Sequence, residues 1–303
     1  MAIYHLNGKV ISRSQGRSSV AASAYRSATK MYDERLGVTN DFTKKDHDLV
    51  KSEVLLPKEA PSRFADREVL WNEVEKVERR KDAQLCREFN VALPKELSND
   101  QNWQLAKEFV QEEFVKHGMI ADLAFHRGHK SQDGQPHFHV MLTLRDVSEN
   151  GFGLKNRSWN DRSYLEHIRS AWSEYCNRDL SKYGFDMRID HRSLEEQGIN
   201  LEPQTKVGPT DAKMRMARLA EQQERAYENG KRIIQDPSIV LKAITRQQST
   251  FTHTDIARVI HRYTHDSEQF SQAYYKVLAC DELLALGKDD QGLTHYTSAE
   301  ILQ

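Results

Sequence analysis

Two histidines two residues apart, His137 and His139, stand in the stretch HRGHKSQDGQPHFHVMLTLR that starts at His126. Residues 137–144 read as a strand, so side chains at i and i+2 share a face and both imidazoles converge. The other face carries Phe138, Val140, Leu142 and Leu144 and is apolar throughout. Residues 120–126 repeat the pattern, with Leu123 and Phe125 on one side and Asp122, Ala124 and His126 on the other. In residues 86–93, Phe89, Val91 and Leu93 oppose Glu88 and Asn90. If the three strands share a sheet, His126, His137, His139, Glu88 and Asp122 lie on one polar surface that the core does not need. Three neutral imidazoles suit a divalent ion and leave coordination positions for substrate oxygens. A His-x-His pair alone is common on strands. His117 and His129 also read as surface residues, and His129 leaves the choice of third ligand open.

A second reactive group is Tyr25, in SVAASAYRSATK. Ala21, Ala22, Ser23 and Ala24 allow a helix here to lie close against another surface. Arg26 follows directly, and Arg13 and Arg17 precede it. A tyrosine hydroxyl is a weak nucleophile at neutral pH. It can attack a phosphodiester where arginines or a metal stabilise the charge, although a helical tyrosine more often simply packs. Residues 1–32 hold Lys9, Arg13, Arg17, Arg26 and Lys30 and no acidic residue. That excess marks a phosphate-facing patch, with a solvated face as the alternative.

The elements that must position these groups follow from pattern. Residues 3–12 and 52–57 read as strands, and 18–31, 62–81, 98–117 and 160–183 as helices. Strands and helices intermix without a βαβ rhythm, which predicts an α+β fold: a mostly antiparallel sheet flanked by helices. This domain is expected over 1–200. A linker and charged helix follow over 201–232, the helix reading as a spacer, and a small helical segment over 233–303 has starts near Ser238, Thr254 and Ser267. The 303 residues carry a net charge of −1, so bulk charge announces no nucleic-acid partner. No apolar run of about 18 residues is present, which excludes a spanning helix. The N-terminus lacks the pattern of a secretory signal. Cys86, Cys176 and Cys280 are too few and too scattered for a disulfide framework or a zinc knuckle, so a reducing cytosol is expected.

Three blocks in order, Ser18 to Arg26, REFNVALP (Arg87 to Pro94) and PHFHVMLTLR (Pro136 to Arg145) with His126 upstream, resemble the MobA/MobL-type relaxases of the HUH endonuclease superfamily. GFGLKNRSWN (151–160) and IDHRSLEEQGI (189–199) extend the resemblance over about residues 1–210. It implies a single-tyrosine enzyme that nicks one strand at a plasmid transfer origin through a 5′-phosphotyrosine adduct and later rejoins it. It further implies Tyr25 as nucleophile and His126, His137 and His139 as ligands of a divalent ion, magnesium or manganese. Glu88 would lie in the acidic motif that orients a catalytic group, by accepting from Tyr25 or fixing a ligand histidine. Arg13, Arg17 and Arg26 are the expected contacts to single-stranded origin DNA, and Trp159 either stacks on a base or is a buried anchor. Accessory relaxosome proteins, a type IV secretion coupling protein and a bacterial, plasmid-encoded cytoplasmic setting come with the resemblance. So does a helicase following the C-terminal segment; the chain itself has no G-x-x-x-x-G-K-[ST] loop. Two rival readings are a three-histidine metal hydrolase using bound water and a non-catalytic single-strand-binding module.

Overall fold

The computed structural model describes residues 3–128, 134–204 and 211–302. The chain divides into two compact units at Phe185/Asp186. The first runs β1 (Leu6–Ser12), α1 (Ser19–Ser27), β2 (Lys30–Asp33), β3 (Val38–Asp41), β4 (Leu49–Leu55), α2 (Arg67–Val77), β5 (Gln84–Ala92), α3 (Asn99–Glu113), β6 (Ala121–His126), β7 (His137–Leu142), β8 (Arg145–Ser148), β9 (Gly151–Lys155) and α4 (Arg162–Lys182). Five strands form one sheet in the order β1-β5-β7-β6-β4, antiparallel at every pairing. β2–β3 and β8–β9 are separate hairpins. The expected α+β architecture is therefore present.

Local chemistry sets the helix starts. Ser18 accepts from the Ala21 N–H, Asp66 from those of Glu68 and Val69, and Ser98 forms a capping box with Gln101. Helix α1 ends earlier than residue 31, because Ala28 turns into the left-handed region at φ 52° without a glycine to announce it. Residues 30–33 then alternate exposed and buried as a strand, and Tyr32 sits on a hairpin.

The register places His137 opposite His126, His139 opposite Ala124 and Asn90, and Met141 opposite Asp122 and Glu88. Along the central strands one face of the sheet is core, while Lys51 and Glu53 on the edge strand β4 continue it toward solvent. Phe138 meets Phe109 and Trp172, and Phe109 also packs on Phe114 and Tyr175. Truncating a buried aromatic such as Phe109 to alanine costs about 3–5 kcal/mol. The opposite face is divided along its length. At one end Ile11, Cys86 and Met141 pack with Val20, Ala24, Leu70, Trp71 and Val74 from α1 and α2. The histidines occupy the other end. The expectation that this face is free of the core is thus corrected: helices cover half of it, because Cys86 and Met141 continue the polar rows as apolar positions.

The second unit contains α5 (Ala212–Gln235), α6 (Ser238–Thr245), β10 (Phe251–Thr252), α7 (His253–Tyr263), α8 (Ser267–Leu278), β11 (Leu283–Lys288), β12 (Thr294–Ser298) and α9 (Ala299–Leu302). The three expected helix starts are present as α6, α7 and α8, but the segment is not purely helical. Its strands form a sheet in the order β10-β12-β11. The order is helix, strand, two helices joined through residues 264–266, and a closing β11–β12 hairpin. The strands escape pattern reading because β10 has two residues and β11 is mostly exposed. Ile199 and Leu201 belong to this unit's core, which moves the boundary ahead of residue 200. Helix α5 is more than a spacer. Ala226, Asn229, Gly230 and Ile233 are buried at i, i+3, i+4 and i+7, a stripe hidden among charges.

Candidate active site

Strand pairing alone brings the three histidines together. Ring centroids lie 5.5 Å apart for His126–His137, 5.5 Å for His126–His139 and 5.2 Å for His137–His139. Each ring has an acceptor on its Nδ1 side. His137 Nδ1 is 2.9 Å from the Gln135 carbonyl oxygen, His139 Nδ1 2.8 Å from Glu88 Oε1 and His126 Nδ1 3.5 Å from Asp48 Oδ2. A proton held on Nδ1 leaves Nε2 with its lone pair. His126 Nε2 is buried and has no hydrogen-bond partner among the described residues.

Electrostatics keep two of the rings neutral near pH 7. Burial, followed by the neighbouring His139 and His137, pushes His126 down to about 4. Burial also lowers His139, against the opposing pull of Glu88. Burial would raise Glu88, but hydrogen bonds from His139 and Arg26 outweigh it and hold the carboxyl at about 2. The donor set therefore fits a divalent ion: neutral imidazoles, oriented tautomers and an orphaned nitrogen. Among the described residues no three ligand-type side chains stand in a finished coordination geometry, so the histidines converge without closing. His129 lies outside the described residues. His117 is exposed in the turn after α3, its ring beside Tyr164.

Three carboxylates anchor α1. Asp122 accepts from Ser23 Oγ at 2.6 Å, Trp71 Nε1 at 2.8 Å and Arg67 Nε at 2.9 Å. Glu75 accepts from the Ser19 N–H and Oγ at 2.8 and 2.9 Å. Glu88 takes both arms of Arg26 at 2.5 and 2.6 Å. Tyr25 precedes Arg26 on this pinned helix and is 47% exposed. Glu88 is shared by Arg26 and His139, which ties the end of α1 to the triad.

Several expected roles change. Asp122 is buried beneath α1 and α2 and offers no open ligand surface. Glu88 contacts His139 and Arg26 and makes no hydrogen bond to Tyr25 among the described residues. Arg13 is engaged with Glu75 at 2.7 Å and with the carbonyls of Glu75, Glu78 and Arg80. Arg26 is likewise held inside by Glu88. Their charges are not free, because the compensating acids come from α2 and β5, far along the chain. Arg17 is exposed and forms no ion pair among the described residues. Trp159 is a buried anchor, 6% exposed, whose carbonyl accepts from Arg87. Gln135, Phe42, Lys45 and Asp48 are the additions that sequence reasoning missed. They sit in polar segments without periodicity, and only the fold brings them to the site.

Gly128 follows β6 at φ +84°, where a Cβ would lie 2.6 Å from the Gln135 carbonyl oxygen. Gly128→Ala would strain the backbone and push away the acceptor that holds His137. The thermal midpoint is expected to fall by about 3–10 °C. An unchanged melting curve would show that this turn relaxes freely.

An antiparallel sheet carrying three converged histidines beside a tyrosine-bearing helix defines the class. Residues 17–217 match the model of the MobA/MobL family, and the chain belongs to that family. Conjugal transfer protein TraA of Agrobacterium fabrum is 37% identical over 333 aligned residues, covering 95% of this chain and 30% of that protein. Mobilization protein MobL of Acidithiobacillus ferridurans is 35% identical over 243 residues, 70% of this chain and 63% of that protein. The chain thus spans about a third to two thirds of the length of these relatives. A structure described as the molecular basis of vancomycin resistance transfer in Staphylococcus aureus matches with a TM-score of 0.59 at 36% identity, over 63% of this chain and 100% of that one. No helix among the described residues is long and apolar enough to cross a membrane.

Proposed function

We propose that this chain nicks one strand of DNA at a plasmid transfer origin, through attack by Tyr25, to start conjugative transfer. The observation that carries the reading is an exposed tyrosine on a helix held by three carboxylates, one of which, Glu88, also holds His139 of the three clustered histidines. Tyr25 Oη forms a bond to phosphorus as the bond to the 3′ oxygen breaks. The phenolic proton leaves to solvent, and the departing 3′ oxygen is protonated to a hydroxyl. The 5′-phosphotyrosine adduct conserves the energy of the phosphodiester, so a 3′-hydroxyl can reverse the step and rejoin the strand. A magnesium or manganese ion held by His126, His137 and His139 would supply Lewis-acid polarisation of the scissile phosphate. Glu88 fixes the His139 tautomer and, through Arg26, the position of α1. The test is incubation with single-stranded transfer-origin oligonucleotides and Mn²⁺, followed by a denaturing gel. A covalent protein–DNA band is expected. Cleavage without a band would favour the bound-water hydrolase, and binding without cleavage the non-catalytic module.

The arginines now separate. Arg17→Ala is expected to leave the melting curve unchanged and to reduce the salt slope of single-strand binding by about 0.7. Arg13→Ala is expected to destabilise the fold by about 1.5–3 kcal/mol, because a buried charged hydrogen bond to Glu75 is lost while Arg35 at 2.9 Å still pairs that carboxylate, and to leave that slope alone. Fluorescence anisotropy across a salt series and thermal melts would check both. Equal slopes for unaltered and Arg17→Ala protein would remove Arg17 from the interface.

A further inference from the structure

One short segment, residues 42–48 (FTKKDHD), reaches both halves of the site. At its start the Phe42 ring stands edge-on to Tyr25, with centroids 5.3 Å apart and planes at 78°. The Phe42 N–H donates to the Thr29 carbonyl at 3.1 Å, tying the segment to the end of α1. A 3-10 turn over Thr43–Lys45 follows, secured by Thr43 N and Oγ1 on Asp41 Oδ1 at 3.1 and 2.7 Å. The turn carries Lys45 Nζ to 3.6 Å from the centroid of the Tyr25 ring. At the far end Asp48 Oδ2 lies 3.5 Å from His126 Nδ1, and the Asp48 carbonyl accepts from the Arg127 N–H at 2.9 Å.

An exposed tyrosine is otherwise free to sample its staggered rotamers. Here Phe42 meets the ring edge-to-face, and Lys45 covers its negative π face with a cation. Each contact is modest at an exposed position, yet together they favour one orientation before DNA arrives. Lys45 is itself exposed and adds little to the core, so its contact serves the tyrosine more than the fold.

We propose that residues 42–48 form a strap that sets Tyr25 against the histidine triad, with Lys45 as a positioning residue for the tyrosine and Asp48 as its grip on His126. The inference rests on the reading of Tyr25 as nucleophile. Orienting the attacking group acts on the rate of the bound complex and not on DNA affinity.

The test uses the full chain with the transfer-origin oligonucleotide that yields an adduct. The single-turnover rate of adduct formation at saturating DNA is compared for unaltered protein, Lys45→Met and Lys45→Arg. Affinity is measured separately with each change placed in a Tyr25→Phe background, where no adduct forms. Lys45→Met keeps the aliphatic stem and is expected to slow the rate by about 3- to 30-fold, with affinity within about 2-fold. Lys45→Arg retains a cation over the ring and is expected to stay within about 3-fold of the unaltered rate. All three proteins should melt together. An unchanged rate for Lys45→Met overturns the strap. So does a loss confined to affinity with a salt slope lower by about 0.7, which would make Lys45 a phosphate contact. If the unaltered chain forms no adduct, the nucleophile assignment fails and the strap with it; an active chain indifferent to Lys45→Met sinks the strap alone.

Discussion

Tyr25→Phe is expected to abolish the covalent adduct, slowing nicking by at least about 10⁴-fold, while single-strand affinity stays within about 2-fold. The substitution removes one oxygen and little else. The Tyr25 ring is 47% exposed, and its hydroxyl makes no hydrogen bond among the described residues. Phenylalanine keeps the edge contact with Phe42 and the π face beneath Lys45. The anchors of α1 through Ser19, Ser23 and Arg26 are untouched, so the melting curve should not move. The denaturing gel and a binding titration on the same oligonucleotide measure the two quantities. Undiminished cleavage by Tyr25→Phe would end the tyrosine mechanism and turn attention to water at the three-histidine site.

The geometry behind this expectation was legible in part. Period-2 alternation in three segments assigned the faces of β5, β6 and β7, and the register then set His126 against His137. Alternation works here because Phe89, Val91, Leu123, Phe125, Phe138 and Val140 bury one face of these strands, so a slip by one residue would bury the polar row. It could not show that α1 and α2 cover half of the other face. Asp122 looked open because its three donors, Ser23, Arg67 and Trp71, lie 51 to 99 residues away. The basic N-terminus misled for the same reason. Arg26 meets Glu88 across 62 positions and Arg13 meets Glu75 across 62. A local charge count reports whether a cation has a sequence neighbour, not whether it is free. Arg17, beside both in sequence, stays exposed only because it lies on the loop that leads into α1.

Elements were lost where length or backbone conformation, not hydrophobic pattern, decided the outcome. Residues 28–33 follow a small-residue helix smoothly, yet Ala28 reverses the chain and opens the β2–β3 hairpin. In the second unit, a two-residue strand and an exposed hairpin strand carry too few apolar positions to register. The amphipathic helices α7 and α8 were plain. The strap at 42–48 had no pattern at all, although it carries the contacts that link the tyrosine to His126.

His137→Ala combined with His139→Ala is expected to lower Mn²⁺ affinity by more than about 100-fold, beyond the loss caused by removing a mere orienting partner. Adduct formation should fall with it. The fold should persist, for reasons that can be read residue by residue. Both side chains sit at the open end of the sheet face, away from the Cys86–Met141 half that packs under α1 and α2. Glu88 loses the His139 hydrogen bond but keeps the paired Arg26 contacts at 2.5 and 2.6 Å and Lys9 at 3.2 Å, so no bare carboxylate is left buried. Alanine in a strand costs about 1 kcal/mol or less at each position, and a midpoint shift of a few degrees is the expected limit. Calorimetric titration with Mn²⁺ separates these effects from unfolding, because it needs neither DNA nor turnover. If the double substitution binds Mn²⁺ as tightly as the unaltered chain, the histidines are not the ligands, and their orphaned and tied-off nitrogens must serve the substrate or the strand pairing instead.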